Sequence, residues 1–139
     1  MRNVLFQETS PSRLDVLVPM MDRAVGVLHL RGWVTDRRVA EIRMCLQEAL
    51  VNAVEHGNGC DPGRTVRLEI SEERGRCLIR VHDEGAGFDP AKVCMAAPLQ
   101  HGGRGVCLIR HFVDRLRYDR NEKCLEMTLE RRTAPEEQP

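Results

Sequence analysis

Glu48-Ala49-Leu50-Val51-Asn52-Ala53-Val54-Glu55-His56-Gly57-Asn58 is the stretch on which the reading of this chain turns. Through it and the residues before it, Val39, Ile42, Leu46, Ala49, Leu50 and Ala53 recur at three- and four-residue steps, the period of a helix with one apolar stripe. At about 100° per residue, Glu41, Glu48, Asn52 and Glu55 fall on the opposite side. Glu48 and Asn52 are one turn apart, so a carboxylate and an amide oxygen share a face within reach of one ligand. Mg²⁺ takes a few hard oxygens together with waters and phosphates. The Asn52 amide oxygen is therefore a candidate ligand, leaving Glu48 to polarise a hydroxyl. Taken alone, the same pair is an ordinary solvated helix face.

Two further segments change that balance. Asp83-Glu84-Gly85-Ala86-Gly87-Phe88-Asp89 places an acidic residue at the end of an apolar strand, followed by alternating glycines. An ionised carboxylate only accepts hydrogen bonds and the exocyclic amine of adenine only donates them, so Asp83 is suited to reading that base. Gly85 and Gly87 remove the side chains that would block a flat ligand. Downstream, Gly102, Gly103 and Gly105 open an apolar-periodic helix through Val106, Ile109, Phe112 and Val113, with Arg104 adding a cation. Exposed backbone N–H groups and the positive end of a helix dipole make such a segment a phosphate cradle. It is not a Walker loop, because no Gly-Lys-Ser/Thr follows, and it lacks the strand-first setting of a Rossmann fingerprint. In this order the three segments describe a nucleotide pocket.

Around them the chain reads as alternating helices and strands. Asn3 to Gln7 is a short first strand, and Pro11, flanked by serines, marks a helix entry. Leu14, Leu17, Val18, Met21, Val25 and Leu28 form the core stripe of a first helix, with Pro19 a kink or restart and Gly32 the stop. A second apolar set, Val16, Met20, Val27 and Leu30, lies off that stripe and suggests either a partner surface or deep burial. Thr35 or Asp36 caps the second helix, which Gly57-Asn58-Gly59 ends. Strands at about residues 65–71 and 76–83 make a hairpin around Arg74-Gly75, and two last strands fall at about 115–119 and 125–131. Residues 88–100 are loop-like between glycine clusters and suit a lid.

The chain has 139 residues, which is one domain, expected over 1–132 with residues 133–139 as a disordered polar tail. With 21 basic and 21 acidic residues and no block of like charge, nothing draws it to nucleic acid. Leu14 to Leu30 is interrupted by Asp15, Pro19, Asp22, Arg23 and His29, which rules out a membrane span there, and a cytoplasmic protein is expected. The six cysteines form no C-x-x-C pair, so reduced thiols are expected rather than a zinc site.

These residues resemble the N, G1 and G2 boxes of the GHKL ATPase superfamily, most closely its small stand-alone anti-sigma-factor serine-protein kinases of bacterial partner-switching systems. The resemblance runs from about Asn3 to Arg131. It implies an α+β fold, a two-layer α/β sandwich of the Bergerat ATP-binding type, with a mixed, mostly antiparallel sheet covered on one face by helices. It further implies Mg²⁺-ATP as ligand. Glu48 matches the catalytic base, Asn52 the Mg²⁺ ligand, Asp83 the adenine reader and Gly87 the G1 glycine. Gly103 and Gly105, with Gly102 and Arg104 beside them, match the phosphate-binding segment, and His56 the box histidine. One departure stands out: where the family's last strand usually starts with a Gly-Thr pair that helps bind adenine, this chain has Cys124-Leu125.

The function so implied is an anti-sigma factor that sequesters a sigma factor and phosphorylates a serine of an anti-anti-sigma partner, with a homodimer through the first helix as one further expectation. The alternative is a non-catalytic, nucleotide-gated binding module, which the Cys124-Leu125 departure favours and the intact Glu48 disfavours. A detached sensor histidine-kinase domain fits less well, because no helical hairpin with a phosphoacceptor histidine precedes Glu48.

Overall fold

The computed structural model describes residues 2–85 and 109–131. Among the described residues five strands form one sheet: β1 (Asn3–Pro11), β2 (Thr65–Glu73), β3 (Arg76–His82), β4 (Arg115–Asp119) and β5 (Cys124–Glu130), in the spatial order β1-β2-β3-β5-β4. Every pairing among the described residues is antiparallel. Helices α1 (Leu14–Leu30) and α2 (Val39–Asn52) pack on one face, and residues 109–112 are also helical. The architecture is the helix-on-sheet α+β arrangement expected.

The alternation along the strands fixes which face is covered. Val66, Leu68 and Ile70 of β2, Cys77, Ile79 and Val81 of β3, and Leu125, Met127 and Leu129 of β5 are all buried in one core with the helices. Residues between them, such as Arg67, Glu69, Arg80 and Glu126, point to the other face. There Arg80 pairs with Glu126 at 2.6 Å. The core stripe expected on α2 is buried at Ile42, Leu46, Ala49, Leu50 and Ala53, with Val39 packed against it.

Several local expectations are corrected. β1 runs to Pro11 rather than Gln7, because Gln7 to Pro11 continue in register against Thr65 to Glu69. The helix entry therefore moves to Arg13, with Leu14 the first helical residue. Pro19 neither breaks nor restarts α1: it costs one backbone hydrogen bond near the N-terminus, and the packed stripe holds the helix through it. At the other end Gly32 (φ 78°) adopts the left-handed conformation. Its N–H donates to the His29 carbonyl and the Trp33 N–H to the Leu28 carbonyl, the paired closure expected of a glycine stop. The apolar sets on α1 partly exchange places. Met20 is core, whereas Leu14 and Val18 are exposed. Neither Thr35 nor Asp36 caps with its side chain; a 3₁₀ turn over Asp36–Arg38 leads into α2 instead. The β2–β3 turn is as expected, with positive φ at both Arg74 and Gly75, the two-residue geometry that matches strand twist.

Among the described residues, Cys45, Cys77 and Cys124 are buried thiols and Cys60 an exposed one, and no group of three or more His, Cys, Asp or Glu could hold a metal. No described helix is long and apolar enough to cross a membrane.

Candidate functional site

The last turn of α2 carries the first half of the site. Glu48 is half-buried and Asn52 entirely so, while Glu55 is exposed, so the side opposite the core stripe is not one solvated face. Neither the Oδ1 nor the Nδ2 of Asn52 has a hydrogen-bond partner among the described residues. A buried amide without partners costs roughly 1–3 kcal/mol, so a side chain of this kind calls for a partner beyond the described residues. After Asn52 the helix widens into a π turn over Ala53–Gly57, a form often found at functional sites.

That turn meets the second half of the site. A Cβ on Gly57 would stand 2.3 Å from Oδ2 of Asp83, and one on Gly85 would stand 1.5 Å from the Gly57 carbonyl oxygen. Both positions are closed to any side chain because the end of α2 and the turn after β3 interlock at backbone distance. Gly85, expected from the sequence to admit a flat ligand, also lies against the Gly57 carbonyl in the fold.

Asp83 is 7 % exposed. Its own N–H donates to the Lys123 carbonyl at 3.1 Å, which ties the end of β3 to the start of β5. Burial pushes the carboxyl above the ordinary aspartate value, partly offset by the Gly85 N–H, which donates to Oδ1 at 3.0 Å, and by Lys123 and Arg64. A half-desolvated acceptor of this kind gains by meeting a donor. Beside it, Leu125 faces the core and Cys124 the other sheet face, so no hydroxyl comes from that pair.

Asn58, expected from the sequence only to help end the second helix, is held by side-chain bonds across the fold. It is 1 % exposed. Its Nδ2 donates to Ser12 Oγ and to the Thr65 carbonyl, each at 3.0 Å, and its Oδ1 accepts the Glu84 N–H at 2.7 Å. The Thr65 N–H in turn donates to Glu84 Oε1 at 2.6 Å. The only signal in the sequence was an asparagine after a glycine at a helix end, which reads equally as a turn.

Glu48, Asn52, Asp83 and Gly85 are thus the expected site residues that the structure describes, and it brings the segment of the first pair against that of the second. Gly87, Gly102, Gly103, Arg104 and Gly105, together with the lid at 88–100, lie outside the described residues, as does the tail at 133–139.

Comparison with known proteins finds one matching family and several similar relatives. The family model described as the histidine kinase-like ATPase domain matches residues 11–130. The serine/threonine-protein kinase BtrW of Bordetella bronchiseptica is 32% identical over 112 residues, covering 73% of this chain and 78% of that protein. The anti-sigma F factor of Clostridium novyi is 25% identical over 95 residues, covering 64% of this chain and 66% of that protein. That of Geobacillus stearothermophilus is 28% identical over 86 residues, covering 58% and 59%. Across the anti-sigma F factors it matches, the chain spans between 59% and 75% of their length.

Proposed function

The chain belongs to the histidine kinase-like ATPase domain family, and from that premise we propose that it is a serine-protein kinase and anti-sigma factor, one cytoplasmic domain over 1–132 that uses Mg²⁺-ATP. The observation that carries this reading is Asn52: a fully buried amide with both polar atoms unsatisfied among the described residues, one helical turn after a half-buried carboxylate. The donor chemistry fits the group. An amide oxygen is a hard ligand suited to Mg²⁺, and Asp83 offers an acceptor-only edge suited to the adenine amine.

ATP, when bound, supplies the γ-phosphoryl group. The rest falls to this chain. With that group bound, Asn52 would hold the cation, Asp83 with Gly85 and Gly87 would receive the base, and Gly102, Gly103, Arg104 and Gly105 would receive the phosphates. Glu48 orients the incoming serine hydroxyl and accepts its proton. Phosphoryl transfer asks mainly for positioning and charge neutralisation, so this small set is sufficient. The relatives named kinase and anti-sigma factor support the partners of this reading: an anti-anti-sigma protein as phosphoacceptor and a sigma factor as sequestered client. The exposed Leu14 and Val18 on α1 support a partner surface there, or self-association.

Leu125 favours one second reading, a nucleotide-gated binder without transfer, because an apolar side chain stands where the family's adenine-binding threonine is expected. One experiment separates the two. Native protein and Glu48→Ala are incubated with Mg²⁺-ATP and a candidate anti-anti-sigma protein, with nucleotide binding followed by calorimetry and transfer by phosphopeptide mass. The native protein is expected to phosphorylate one serine; Glu48→Ala is expected to bind ATP within about threefold of native and to lose at least about 100-fold in transfer rate. ATP and partner binding without any transfer by the native protein would leave the gated binder as the better description.

A further inference from the structure

We propose that Asn58 is a positioning residue for the adenine-reading carboxylate of Asp83, an inference that rests on the nucleotide reading above. The Asp83 backbone is held from two sides. On one, its N–H donates to Lys123 of the neighbouring strand. On the other, the peptide that follows it presents the Glu84 N–H to Asn58 Oδ1 at 2.7 Å. The second bond fixes the plane of the Asp83–Glu84 peptide, and with it the direction in which the carboxylate leaves the chain.

Asn58 can act as such a stop because it is itself immobilised. Its backbone N–H donates to the Ala53 carbonyl at 2.7 Å, closing the π turn, and its own carbonyl accepts from the Asp61 N–H at 3.2 Å and from Arg64 Nη1 at 3.4 Å. Both Nδ2 protons are spent, on Ser12 Oγ and the Thr65 carbonyl, so the amide cannot rotate without losing bonds. Gly57, immediately before it, lies against the Asp83 carboxylate with no room for a side chain. The turn that bears Asn52 at its start thus delivers, at its end, both the surface on which Asp83 rests and the acceptor that aims it. No other residue type offers one acceptor and two donors at this length: alanine would take a partner from three polar groups, one of them buried, and aspartate would keep the acceptor alone.

A packing role would weaken every ligand alike, whereas a positioning role alters discrimination. The test therefore compares Mg²⁺-ATP with Mg²⁺-purine riboside triphosphate, which lacks the exocyclic amine, by calorimetry on one preparation of each variant. A loss of folded protein cancels in that ratio. The native protein is expected to prefer ATP. Asn58→Ala is expected to lose that preference by at least about tenfold, chiefly through weaker ATP binding. Ser12→Ala, which removes only the α1-side contact, is expected to keep it. If Asn58→Ala does not fold, Asn58→Asp serves: it loses both donor bonds that lock the side chain against Ser12 and Thr65, and is likewise expected to lose the preference. A native preference that survives Asn58→Ala, or survives Asn58→Asp where the alanine variant does not fold, overturns the positioning role and leaves the nucleotide reading intact. A native protein that binds both triphosphates equally overturns the adenine reading, and the inference with it.

Discussion

Asp83 is held against its own charge. Desolvation by the surrounding fold is the largest influence on its carboxyl and raises its pKa, and the Gly85 N–H only partly compensates. For an acid raised on folding, the associated stability is fully present below the ordinary aspartate value of about 3.8 and is lost as pH rises through the folded value. At neutral pH the ligand-free protein therefore bears a cost that a donor on the base would relieve. Asp83→Asn keeps an acceptor for Gly85 N–H and removes the charge. It is expected to melt at or above the native temperature at pH 7, with the difference shrinking on acidification, while ATP affinity falls at least about tenfold. A melting temperature several degrees below native at pH 7 would count against a desolvated carboxylate. The positions of Asp83 at the end of a strand and of Asn52 one helical turn after Glu48 were legible in the sequence from residue type and spacing. Gly57 and Asn58 were not, since their need arises only when residues 57 and 83 to 85 meet across the fold.

At the level of elements, period was easier to read than phase. The α2 stripe and the two hairpin-forming strands came through because the apolar repeat there has one solution. On α1, two apolar sets offset by a few residues both fit a helical period, and only the position of the sheet decides between them. Met20 is core at 1 % exposure, and Leu14 is 43 % exposed. The end of β1 was missed for a related reason: Ser10 and Pro11 read as helix entry by type, whereas pairing with β2 keeps them extended. This assignment of faces has a direct stability consequence. Leu46→Ala, at a site that is 0 % exposed, is expected to cost about 2–5 kcal/mol. Leu14→Ala is expected to stay within about 0.5 kcal/mol of native. Urea titration of both variants checks the pair, and similar losses at both sites would contradict the assignment.

For the molecule as a whole, the sheet order explains why distant segments of sequence form one site. β5 lies between β3 and β4, and among the described residues the strand that follows β3 is β4, so residues 83–114 connect the two. That connection carries every glycine cluster assigned to the phosphates, and it departs from the point where the end of α2 abuts the sheet. The fold class was readable because motif order and element order agree. The central claim is that the end of α2 is built for a metal-bound nucleotide, and it is tested most directly at Asn52. Calorimetric titration of ATP into native protein and Asn52→Ala, each with and without Mg²⁺, is the measurement. The account predicts that Mg²⁺ strengthens ATP binding to the native protein by at least about tenfold, and that Asn52→Ala stays folded but loses that Mg²⁺-dependent gain. An Asn52→Ala protein that binds Mg²⁺-ATP as tightly as native would contradict it.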